Sequence, residues 1–120
     1  MFKLFNKNNK EPKNLADVVK QIKKLEAQNK SLLNQLEELK KQNAFCIQKT
    51  EVIRFNPFSG TGGDQSFSIA LLDASNNGLV ITSIFGHEGN RVYAKPIKQG
   101  GSSYTLSEEE KEVIRKAVGK

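Results

Sequence analysis

Three polar side chains alternate in the segment RVYAKPI (91–97): Arg91, Tyr93 and Lys95. Residues two apart in a strand share a face, so this spacing lines up a guanidinium, a phenol and an ammonium. All three donate hydrogen bonds and two carry positive charge, which suits an anion or an acidic partner. Arg54 and Asp64, on either side of a glycine-rich stretch, complete five candidate polar binding residues. The competing reading is a solvated face, with Tyr93 half-buried and one arginine paired to Asp64 or Glu51. The stretch SGTGGD (59–64) has the glycine content of a phosphate cradle. It lacks both G-x-x-x-x-G-K-[ST] and G-x-G-x-x-G, and it runs into a strand pattern where an anion site would open a helix. It reads as a structural turn. His87 stands alone in the turn GHEGN (86–90), and a general base needs an orienting partner that adjacent Glu88 does not supply. Cys46 reads as a small buried hydrophobe, or as a thiol near its mate across a dimer axis. One His and one Cys cannot form a zinc site within one chain. No catalytic residue, metal or cofactor is therefore expected, and the chain reads as a protein that is not an enzyme.

The elements that would hold these residues differ sharply between the two halves of the 120-residue chain. The net charge of +6 lies entirely in residues 1–49, with 11 Lys against 5 acids, and every glycine lies at or after Gly60. Residues 1–13 (MFKLFNKNNKEPK) are poor in apolar surface and read as a disordered basic tail. Lys3, Lys7, Lys10 and Lys13, with Phe2 and Phe5, make an anionic membrane surface or nucleic acid the possible partners of this arm. No apolar run reaches the roughly 18 residues of a membrane span, and no signal-peptide core is present. A cytoplasmic location, with membrane-peripheral as the alternative, follows as the default.

Asn14 is a good helix N-cap, and Asp17 follows at a position that suits the dipole. From there the apolar residues repeat as heptads over 14–44. With Leu15 at a, the a positions are Leu15, Ile22, Asn29, Leu36 and Asn43, and the d positions are Val18, Leu25, Leu32 and Leu39. This is the 3.5-residue seam of a coiled coil. Asn at a pairs best with its own symmetry mate and favours a parallel dimer. The g positions are neutral glutamines, and Val19 and Leu33 at e widen the stripe. A homodimer through Leu15, Val18, Ile22, Leu25, Asn29, Leu32, Leu36 and Leu39 is expected, with a trimer as one alternative. The other is an amphipathic helix folded onto its own sheet.

Beyond residue 45 the period changes to two. IQKTEVIRF (47–55), QSFSIALLD (65–73), GLVITSIF (78–85) and RVYAKPI (91–97) read as four strands. Asn77-Gly78 is a hairpin signal, Pro96 suits an edge strand, and 103–105 is a candidate short strand. SEEE (107–110) is a capping box that opens a helix over 107–118. The fold expected is α+β: a long N-terminal coiled-coil helix followed by a small antiparallel β-meander with a C-terminal helix. Both faces of the central strands are apolar or small, and one short helix covers only part of one face. The second face therefore wants the long helix, a partner subunit or a ligand.

From Ile47 to Ala117 the chain resembles a bacterial family of uncharacterised proteins, a domain of unknown function. The resemblance rests on RFNPF (54–58), GGDQSFSIALLD (62–73), NGLVITS (77–83), RVYAKPI (91–97) and YTLSEEEKE (104–112). It implies the layout of a coiled coil followed by this domain. Members often carry a preceding membrane helix that is missing here, and acidic residues where Asn56 and Ser59 stand. Those replacements argue against a metal in the loop. The resemblance adds nothing on catalysis; the heptad seam and the lack of a catalytic constellation make the function expected a coiled-coil-mediated oligomeric scaffold with an unknown protein partner. A tether acting through the basic arm is the alternative, and an anion- or ligand-binding domain the third reading.

Overall fold

The computed structural model describes residues 13–58 and 64–120. The expected basic tail before Lys13, with Lys3, Lys7 and Lys10, and the glycine stretch 59–63 lie outside the described residues. The chain divides into two compact units, Met1–Lys40 and Lys41–Lys120.

Helix α1 (Leu15–Ala44) starts where its capping residues place it. The Asp17 N–H donates to Asn14 Oδ1 at 2.9 Å, and the Asp17 carboxylate accepts from the Lys13 N–H at 3.3 Å. The first bond satisfies one orphan donor of the first turn, and the second ties the residue before the cap to the same turn. Thirty residues without Gly or Pro extend the helix to about 45 Å. None of its residues is buried. At its end, the Phe45 and Cys46 N–H groups donate to the Gln42 and Asn43 carbonyls. The Gln48 amide donates to the Asn43 carbonyl at 3.0 Å. Cys46 is exposed rather than buried, because it lies past the last turn with its thiol 3.7 Å from the Gln42 carbonyl.

The second unit is a four-stranded antiparallel meander, β1 (Lys49–Phe55), β2 (Ser66–Leu72), β3 (Gly78–Gly86) and β4 (Gly89–Ile97), in spatial order β1-β2-β3-β4. Helix α2 (Glu108–Val118) packs on β1, β2 and β3. The expected α+β fold is what forms. Between the helix and the sheet, Ala70, Leu72, Val80, Ile97, Val113, Ile114 and Ala117 make one core, with Ile53 and Leu106 against it. Counted from buried Glu110, Val113 and Ile114 fall at i+3 and i+4 and Ala117 at i+7, which turns one helical face onto the sheet. Pro96 does stand on an edge strand, where its missing N–H removes no ladder bond that a neighbour needs.

Three local details differ from the sequence expectation. The β2–β3 connection is a five-residue loop, and its left-handed residue is Asn76 (φ 64°), not Asn77 or Gly78. Asp73 organises it: one carboxylate oxygen accepts from the Ser75 and Asn77 N–H groups, both at 2.9 Å. Gly78 is required for space instead, since a Cβ there would collide with the Leu71 carbonyl oxygen. The β3–β4 turn is tighter than GHEGN suggests, with Gly86 paired to Gly89 and only His87-Glu88 between. Finally, 103–105 forms no strand. The Lys95 ammonium holds the Thr105 carbonyl at 2.7 Å and leads the chain into the α2 cap, and the sheet-like pairing falls instead at Lys98–Gly101.

Candidate functional site

Strand alternation sorts the five polar candidates. Register places Arg91, Tyr93 and Lys95 on the α2 side of the sheet, since Tyr93 pairs with Thr82, which is buried under α2 with Glu110. Arg54 pairs with Phe67 and so belongs to the opposite face. Asp64 precedes β2 and is exposed. The structure thus brings Arg91, Tyr93 and Lys95 together and leaves Arg54 and Asp64 apart from them. Among the described residues neither arginine has an ion pair. Of the two carboxylates expected to pair one arginine, Asp64 and Glu51, Glu51 instead meets Lys120 at 3.1 Å. The hydrogen bond and charge of Lys120 hold the Glu51 carboxyl below its usual value.

Lys95 serves a polar line beneath α2 that the sequence did not reveal. Glu110 is the N3 residue of α2 and is 1 % exposed. Its Oε1 accepts from the Ser107 N–H at 2.8 Å, closing the capping box, and from Lys95 Nζ at 2.8 Å. Its Oε2 accepts from the Thr82 hydroxyl at 2.7 Å, and Thr82 meets Ser68 at 2.8 Å. A buried carboxylate is costly unless paired and hydrogen-bonded, and here every oxygen has a partner. Burial pushes the Glu110 carboxyl up. The Lys95, Ser107 and Thr82 hydrogen bonds, with the charge of Lys95, outweigh it and hold the group below its ordinary 4.5. Such a network fixes where α2 sits on the sheet. The capping-box motif announced the Ser107 contact; the Thr82 and Lys95 contacts follow only from strand register.

Arg91 and Tyr93 face a groove of about 580 Å³ at the β3–β4 turn, whose other lining residues include Phe58, Ile84, His87 and Glu88. The Phe58 and His87 rings stand 6.3 Å apart at 41°. Arg91, Tyr93, His87 and Glu88 are all exposed, so the groove offers hydrogen bonds in competition with water, each of modest net worth. Opposite charges at Arg91 and Glu88 also oppose any strong preference for an anion. Among the described residues, no three His, Cys, Asp or Glu side chains come together to hold a metal ion.

The α1 stripe is the larger chemical feature. Leu25 and Leu32 are 59 % and 62 % exposed, and Leu15, Val19, Ile22, Leu33, Leu36 and Leu39 are exposed with them. Val18 is half-buried. No helix among the described residues is long and apolar enough to cross a membrane.

A family model described as a protein of unknown function (DUF4446) matches residues 1–118, and the chain belongs to that family. No curated protein and no solved structure gives a significant match.

Proposed function

We propose that this member of the family is a non-enzymatic cytoplasmic interaction module, in which α1 zips two copies into a parallel coiled-coil dimer that displays two small α+β domains to a protein partner. The observation that carries this reading is a 30-residue helix with an aliphatic a/d seam and no buried residue. A lone helix in water gains little from propensity and is stabilised by packing its apolar face. Burying one Leu side chain contributes about 1.5–3 kcal/mol, so seven aliphatic seam positions per copy supply a large driving force. Asn29 and Asn43 at a positions select the in-register parallel pair. A single exposed thiol, Cys46, suits a reducing compartment.

Sedimentation or light scattering at micromolar concentration tests the reading. The expected mass is that of two chains, and the Leu25→Ser/Leu32→Ser variant gives one. A monomeric parent chain removes the proposal. A second reading rests on the charge imbalance of residues 1–49. Dimerisation doubles Lys3, Lys7, Lys10 and Lys13, and binding to anionic vesicles or DNA that weakens with salt and vanishes on deleting residues 1–13 would support a tethering arm. Binding that survives the deletion excludes it.

A further inference from the structure

The sheet has a second face, and its composition is that of an interface. Cross-strand register on the side away from α2 gives three rows: Thr50-Leu71-Leu79-Pro96, Val52-Ile69-Ile81-Ala94 and Arg54-Phe67-Ser83-Val92. One charge, Arg54, stands among twelve residues, in an outer row. Val52 and Val92 are 53 % and 67 % exposed. An antiparallel sheet that faces water alternates apolar with polar residues, and this one does not. Among the described residues of 45–120, neither a strand of a second layer nor a helix lies across this face.

We infer that this face closes against the same face of a second copy, forming a two-layer sheet sandwich at the end of the α1 coiled coil. The inference rests on the coiled-coil reading for its geometry. Apolar accounting excludes the rival occupants within the chain. The α1 seam is already spent on its own mate, the stretch 59–63 is Ser-Gly-Thr-Gly-Gly with no apolar side chain, and residues 1–12 offer only Met1, Phe2, Leu4 and Phe5. None of these matches a face of this extent, whereas an identical face does. A nearly uncharged surface also meets itself without placing like charges at the centre of the contact. Strands about 4.8 Å apart and rows about 7 Å apart give roughly 400 Å² per copy. Two such faces bury about 800 Å², short of the roughly 1,000 Å² that marks an independent interface. The contact therefore needs a tether, and a parallel coiled coil supplies one by holding the two domains at high effective concentration. Aligned sheet packing about 10 Å apart is the expected geometry.

The test uses the full chain in a Cys46→Ser background. Val52→Cys and Ala94→Cys are oxidised singly and as a mixture, so that either direction of two-fold packing yields a disulfide, and Lys111→Cys on α2 is the control. The expected result is dimeric mass throughout, a covalent dimer from the sheet positions within minutes, and none from Lys111→Cys. Adding Val92→Glu to the Val52→Cys chain should cut that yield at least tenfold while leaving the mass unchanged. Dimeric mass with no cross-link at either position, and alkylation there as fast as at Lys111→Cys, overturns the sheet contact and leaves the coiled coil standing. Cross-links that persist in the Leu25→Ser/Leu32→Ser background overturn the coiled coil and leave the sheet contact standing. A monomeric parent overturns both. Slow alkylation without cross-links, restored to the control rate by deleting residues 2–12, assigns the face to the amino-terminal segment and overturns the inference.

Discussion

Replacing Glu110 separates the worth of its charge from the worth of its shape. In Glu110→Ala the Ser107 N–H, the Thr82 hydroxyl and the Lys95 ammonium each lose the carboxylate as an acceptor. Thr82 keeps Ser68, and Lys95, whose side chain is 21 % exposed, keeps the Thr105 carbonyl and turns partly to water. The remaining losses are one capping bond and a nearly buried ion pair. Breaking such a pair from one side costs about 3–5 kcal/mol, and the exposure of Lys95 places this case near 3. In Glu110→Gln the amide oxygen can still accept from Ser107 and Lys95. Its NH₂ donates to Thr82 Oγ1, whose proton turns to Ser68, so no buried polar atom is orphaned and the cost falls to about 1 kcal/mol. Urea unfolding followed by circular dichroism, at one fixed protein concentration, measures both. The pH dependence adds a signed check. A carboxyl held below 4.5 stabilises the fold fully above that value and loses its contribution as pH falls through the lowered value. Glu110→Gln removes that acid-side loss. Lys95→Met removes the Lys95 hydrogen bond and charge while burial, Ser107 and Thr82 remain, so the Glu110 carboxyl rises from its lowered value. That variant is weaker at pH 7 and loses less stability on acidification than the parent chain. A Glu110→Ala loss below about 1 kcal/mol, or equal losses for Ala and Gln, refutes the account of the network.

Further outcomes follow from the turns and the seam. Gly78→Ala should cost about 3 kcal/mol in the same unfolding assay, because the new Cβ meets the Leu71 backbone oxygen and a strand must move. Gly89→Ala should cost about 1–2 kcal/mol: φ is +117° there but the space is open, so only backbone strain is added. A reversed order of these two losses would contradict the register at β2–β3. Asn29→Ile should raise the thermal midpoint and broaden the distribution of oligomers in sedimentation, since the polar group that selects register is gone.

Where one local rule decided the outcome, the sequence was readable. Asn14 with Asp17 started α1, Ser107 with Glu110 started α2, and alternation gave each strand within two residues. The β2–β3 turn misled because Asn77-Gly78 satisfies a hairpin preference that the structure does not use. Asp73, with backbone N–H groups two and four residues on, was the competing signal, and its carboxylate set the loop length. The polar residues split for a nonlocal reason. Arg54 and Tyr93 look equivalent in the sequence, and pairing alone puts them on opposite sides. Glu110 carries the same lesson: a carboxylate beside two others in SEEE reads as a solvated dipole partner. Only the placement of Thr82 and Lys95 beneath α2 shows that it is buried.

The strand order has a consequence for how fast the second unit assembles. Every strand lies beside its neighbour in the chain, so the sheet grows by closing short loops, with no long excursion to recruit a distant segment. Such wiring places the unit among the quicker mixed folds, and α2 can dock only after β1, β2 and β3 have come together. Substitutions in α2 such as Val113→Ala should then act mainly on the escape rate from the native state, and those in the β2–β3 hairpin on the rate of reaching it.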